Sequence, residues 1–132
     1  MSKKVSIFII ILLAITLSYY FIMSYKPKNT VSKILDASIK GESIQSLDLS
    51  NNATLKSFWS SVNETKGFEY SIKGIEAGWN ERVFLVNIVK INYDQENQLT
   101  SIIQGALTFQ LSRSLNSWSI TDIKVINDLT ET

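Results

Sequence analysis

The side chains able to do chemistry in this chain are few and far apart. Cysteine and histidine are both absent from its 132 residues. Their absence excludes thiolate nucleophiles, disulfides, Cys/His zinc sites, acylation of a lipoprotein cysteine and histidine general bases. Acid–base work would fall to Asp, Glu, Tyr or Lys. Glu76 and Asp122 could act as a general acid and base only if the fold brought both into one buried site, where like charges drive two carboxyl pKa values apart. Asn87 and Lys90 interrupt the most apolar stretch of the chain on opposite faces, where a polar group on a sheet wall can contact a ligand. For Lys90 the plainer alternative is a stem laid over apolar surface with its amine in water. Trp59 and Trp118 fall on apolar faces and read as core, whereas Trp79 lies between Gly78 and Asn80 in a turn, where it either contacts a partner or packs over its own hairpin.

Other site patterns are missing. The chain has no glycine-rich phosphate loop and no serine nucleophile elbow, and Asp94 to Asn97 lacks the spacing and glycine of a calcium loop. Asn52-Ala53-Thr54 and Asn63-Glu64-Thr65 match the glycosylation pattern, a three-residue match that arises easily by chance. No catalytic residue, metal or cofactor is therefore assigned. Of the 13 basic residues, Lys3 and Lys4 precede the first apolar run, leaving 11 scattered singly among all 12 acids. Phosphate-backbone binding needs clustered Lys and Arg, so nucleic acid is not an expected partner.

Few elements are available to position these residues. Val5 to Met23 is 19 residues without a charge, about 28 Å as a helix, close to the roughly 30 Å of a bilayer's hydrocarbon core. Tyr19, Tyr20 and Tyr25 gather at its far end, where amphipathic rings favour the headgroup layer. Thr16-Leu17-Ser18 is a weak signal-peptidase site, but the apolar run continues through Phe21 and Met23, which favours an uncleaved anchor. The expected organisation is an anchor with a short tail over 1–25, a hinge over 26–29 containing Pro27, and a domain over 30–132. Lysines flank the run on both sides, and the short N-terminal tail favours a single-pass protein of the cell membrane with the domain extracytoplasmic.

Thr30 is placed to cap a helix carrying Val31, Ile34, Leu35 and Ile39, ended by Gly41. Asn51 or Asn52 then caps a second helix, with Leu55, Phe58, Trp59 and Val62 apolar and an end near Lys66-Gly67. From Phe68 the period changes from 3.6 to 2. A strand to Ala77, with a bulge at Lys73-Gly74 passing burial to Ile75 and Ala77, turns at Gly78 to Glu81. Strands over Arg82–Tyr93, Leu99–Ser112 and Trp118–Ile126 follow, with turns at Asp94 to Gln98 and Ser114 to Ser117. In the last strand Trp118 and Ile120 share a face with Ile123 and Val125 only if a bulge intervenes near Thr121-Asp122. The fold class is α+β: an N-terminal transmembrane helix, then two helices packed on a curved four-stranded antiparallel sheet.

The stretch from Thr30 to Ile126 resembles the nuclear-transport-factor-2-like (cystatin-like α+β) superfamily, especially small bacterial membrane-anchored members. The resemblance is carried by the helix-ending turn Ile39-Lys40-Gly41-Glu42, the aromatic pair Phe58-Trp59, and the last strand from Trp118 to Val125. It implies a cone-like domain. Enzymes that look like this use Asp, His or Tyr inside the cone, and this chain has no His. The resemblance therefore implies the non-catalytic role, an accessory or assembly domain binding other envelope proteins such as secretion or conjugation machinery, or alternatively a cone holding a lipid or other small apolar ligand. Trp79, Asn87, Lys90 and Asp122 are the expected interaction or pocket contacts.

Overall fold

A computed structural model describes residues 2–114 and 117–132, with side chains described for all of these except 22–25. The chain runs α1 (Lys3–Ile39), α2 (Leu49–Trp59), β1 (Glu69–Ala77), β2 (Glu81–Tyr93), β3 (Leu99–Ser114) and β4 (Ser117–Glu131). The four strands pair antiparallel in the order β1-β2-β3-β4. Both helices cover one face of this open sheet, and the architecture is the expected α+β.

The first helix differs from expectation. Residues 26–29 are helical, and α1 is one rod of 37 residues, about 55 Å long. Thr30 is not a cap; its hydroxyl bonds back to the Lys26 carbonyl at 3.0 Å. Pro27 removes one helical hydrogen bond, but its ring is fully buried, so packing offsets the loss. The last turns bury Val31, Ile34 and Leu35 in the core. Gly41 ends the rod as expected. Its φ of 73° is the left-handed conformation a glycine adopts at little cost. Glu42 N–H and Gly41 N–H then bond to the Ala37 and Ser38 carbonyls at 3.0 and 3.1 Å, closing a Schellman motif.

The second helix starts earlier than Asn51, because the Asp48 carboxylate accepts from Asn51 N–H at 2.7 Å and is the cap. It stops at Trp59 rather than near Lys66. Ser60 and Ser61 turn their hydroxyls back to the Ser57 and Phe58 carbonyls, competing with helix continuation.

The sheet is bulged at several points. In β1 the register shifts between Gly74 and Glu76, so Ile75 is the extra residue. Ile75 and Ala77 are exposed, so the expected transfer of burial does not occur. In β4 the extra residue is Thr121, between the pairs Leu111–Ile120 and Gln110–Asp122. This is the bulge the Trp118 pattern requires, and it turns both Ile120 and Ile123 toward the core. Further shifts near Ala106 carry β4 past Ile126 to Glu131, with Leu129 buried. Residues 115 and 116 of the expected Ser114 to Ser117 turn lie outside the described residues.

Candidate functional site

The space between sheet and helices is occupied by the protein's own side chains. Leu35, Phe58, Val86, Ile88, Leu107, Phe109 and Leu111 meet there, each almost fully buried. Trp59 packs edge-on against Phe58 and Phe68 with centroids 5.3 and 5.2 Å apart, and its indole N–H donates to Ser38 Oγ at 3.2 Å. Gly105 shows how close the wall comes. A Cβ there would lie 3.1 Å from the Phe58 ring and 3.0 Å from the Asn127 carbonyl, so a larger residue would have to push the wall back by a few tenths of an ångström.

Residues singled out by sequence lie apart from one another. Glu76 is on β1 and Asp122 on β4, the two edges of the sheet, separated by three strand spacings or about 14 Å. Asp122 pairs instead with Lys124 at 3.6 Å in an exposed salt bridge. No acid–base pair is assembled from them. Lys90 is on the helix-covered face, its stem over Gly67 and its amine 5.5 Å from the Phe68 ring, which is the apolar-stem arrangement. Asn87 points to the opposite face, between the buried Val86 and Ile88. There it lines a shallow groove of about 640 Å³ with Gln104, Asn127 and Asp128.

Trp79 stands at the β1–β2 turn, closed by Gly78 N–H to the Glu81 carbonyl at 2.9 Å, and is 71% exposed. The Arg113 guanidinium lies 5.6 Å from its ring and reaches the Tyr19 hydroxyl of α1 at 3.4 Å. Arg82 stacks likewise on Trp118 at 5.7 Å. Trp118 is buried, and its indole N–H has no partner among the described residues. The side chain of Tyr25, expected at the same end of the helix, lies outside the described residues.

Two polar connections between distant elements have no clear signature in the sequence. Asn51 is 4% exposed, and its side-chain oxygen accepts from Ile123 N–H at 3.0 Å while its amide faces the Thr121 carbonyl at 3.5 Å. It thus pins α2 onto the β4 bulge. Tyr70 donates to Asp36 at 2.7 Å and accepts from Ser32 at 2.8 Å, tying β1 to the last turns of α1. Burial pushes the Tyr70 hydroxyl above its ordinary value, the Ser32 bond opposes that, and Asp36 adds to it. A helix N-terminus rich in Asn was the only local signal for the first, and nothing local marks the second.

Among the described residues, no helix covers the other face of the sheet. Val83, Leu85 and Val89 are half-buried along it. At the end far from Trp79, Ile91 pairs with Ile102 and, after a one-residue register shift, Tyr93 pairs with Leu99. Of these, Ile91, Tyr93 and Leu99 are 46%, 60% and 57% exposed. Ile91, Tyr93 and Leu99 thus form a contiguous, largely apolar patch on that face.

The N-terminal half of α1 is a helix long and apolar enough to span a membrane, and none of that window is buried against the rest of the protein. Comparison of the chain with family models, with curated proteins and with solved structures finds no match.

Proposed function

We propose that the protein is a membrane-tethered, non-catalytic accessory domain that docks other proteins of the cell envelope on the uncovered face of its sheet. The observation that carries this reading is the one-sided coverage: helices bury one face, while Ile91, Tyr93 and Leu99 stand exposed on the other. The tether is supported by the large apolar side chains from Val5 to Phe21, most of them more than 40% exposed. At 1.5–3 kcal/mol for each fully buried side chain, water is a poor home for such a run and a bilayer a good one.

A non-catalytic role is supported by the separation of Glu76 from Asp122. Membership of the nuclear-transport-factor-2-like superfamily, with an extracytoplasmic cone, fits the order of two helices before a bulged antiparallel meander and belongs to the same proposal. The alternative of a small apolar ligand inside the cone would require Leu35, Phe58 and Phe109 to separate, and no observation favours it.

Site-specific photo-crosslinking in the cells that make the protein tests the docking face. A crosslinker at Tyr93 should give a discrete protein adduct that Ile91→Glu abolishes, while one at the exposed Lys33 should not. Equal or absent adducts at the two positions would overturn the reading.

A further inference from the structure

The end of the sheet nearest the anchor has a chemistry of its own. Tyr19 lies four residues before Met23, about 6 Å along the helix axis from the end of the apolar run. The Arg113 guanidinium reaches its hydroxyl at 3.4 Å. That contact sets the β1–β2 turn at the depth of Tyr19, below the level at which the apolar run ends. From these positions we propose that this end of the sheet is a second membrane contact, in which Arg82 and Arg113 hold anionic lipid headgroups and Trp79 sits at the headgroup–acyl boundary.

The charge arrangement argues for a lipid surface. Arg82 is opposite Leu111 and so lies diagonal to Arg113 on the helix-covered face, about 7–8 Å away. Glu81 pairs with Ser112 and Glu76 with Val83, positions of the opposite face. Two guanidinium groups thus share the anchor's side of the sheet and the carboxylates occupy the other. Guanidinium forks match phosphate oxygens. Each Arg stacks on an indole, at 5.6 Å for Trp79 and 5.7 Å for Trp118, and the 71% exposed Trp79 ring has the amphipathic character that favours the interfacial layer. A depth of about 6 Å is within the range at which amphipathic elements rest in that layer. The surface is continuous with the anchor itself, so the occupant is the bilayer that α1 enters.

This inference rests on the membrane-anchor reading, and one experiment separates the two. The chain has no cysteine, so Asn80→Cys and, at the far turn, Glu96→Cys each give a single labelling site for an environment-sensitive fluorophore. The full chain is reconstituted into nanodiscs of phosphatidylcholine with increasing phosphatidylglycerol, with nitroxide carried on shallow acyl positions as quencher. Position 80 should be quenched increasingly with phosphatidylglycerol and position 96 not at all. Arg82→Gln and Arg113→Gln should each weaken the response about fivefold, Arg113→Lys should largely restore it, and millimolar inorganic phosphate should not compete.

A chain that incorporates but leaves position 80 as unquenched as position 96 overturns this inference and spares the anchor. Quenching independent of phosphatidylglycerol, or competed away by phosphate, also overturns it. A chain that does not incorporate refutes the anchor and this proposal with it.

Discussion

Removing the Asn51 side chain should destabilise the domain more than its position on a helix face implies. Two residues past the bulge at Thr121, Ile123 N–H donates to Asn51 Oδ1 at 3.0 Å in a buried position. Asn51→Ala leaves that N–H unsatisfied, which costs about 1–3 kcal/mol. The 3.5 Å contact to the Thr121 carbonyl is too long to add much. Lost packing of a residue only 4% exposed brings the expected loss to about 2–3 kcal/mol. For a folded portion of about 100 residues this lowers Tm by about 10–20 °C. The measurement is thermal unfolding of the full chain in detergent micelles by near-ultraviolet circular dichroism, with exposed Lys56→Ala as a control expected within about 0.5 kcal/mol of wild type. Hydrogen exchange should show protection lost first at Ile123. An Asn51→Ala protein as stable as the Lys56→Ala control, with Ile123 still protected, would refute the assignment of Asn51 as the partner of the bulge.

Gly105→Ala should cost about 1–3 kcal/mol by overpacking, since its Cβ meets the Phe58 ring and the Asn127 carbonyl at 3.1 and 3.0 Å; combining it with Phe58→Leu should recover part of the loss in the same melt. Tyr70→Phe should lose about 1 kcal/mol near neutral pH through its bonds to Ser32 and Asp36. Because burial raises the folded-state value of Tyr70, the unfolded chain gives up that proton first. The Tyr70 contribution is therefore fully present below the unfolded value of about 10 and lost as pH rises through the folded one. The gap between wild type and Tyr70→Phe should narrow in denaturant titrations above that pH, and a constant gap would contradict the linkage.

Period and turn chemistry were sufficient to recover the meander. Alternation in Arg82 to Tyr93 and the turn at Gly78 to Glu81 need no tertiary information, and the last strand contains its own bulge, because Trp118 and Ile120 share a face with Ile123 only if an extra residue lies between them, although Val125 stays exposed. The continuation of α1 through residues 26–29 has a physical cause. A proline after a charged residue signals a helix break locally, and only the burial of the Pro27 ring lets the helix continue. The same limit applies to sites. Asn51 looks like a cap until β4 is known to bulge beneath it, and Tyr19, Trp79 and Arg113 are remote in sequence, so their meeting is a product of topology. Asp122 and Glu76 were plausible by type alone, and strand order keeps them apart.

In the proposed anchored arrangement, the continuity of α1 fixes how the two exposed surfaces stand relative to the bilayer. A domain on a flexible hinge would present any face to any partner. Here the rod that bears the apolar run also supplies Val31, Ile34 and Leu35 to the core, so the domain cannot turn without unpacking itself. Arg113 on Tyr19 near one end and Tyr70 on Ser32 near the other show that the sheet lies alongside the rod. Twelve residue steps separate Glu81 from Tyr93 along β2, about 40 Å of strand. That distance exceeds the thickness of a headgroup layer several times over. If the Trp79 end rests on lipid, the Ile91–Tyr93 patch stands well clear of it and faces sideways, where lipid cannot reach. The two surfaces therefore call for different occupants, and a substitution at one should leave binding at the other intact: Arg113→Gln should change depth quenching at position 80 without changing the Tyr93 crosslink, and Ile91→Glu should do the reverse.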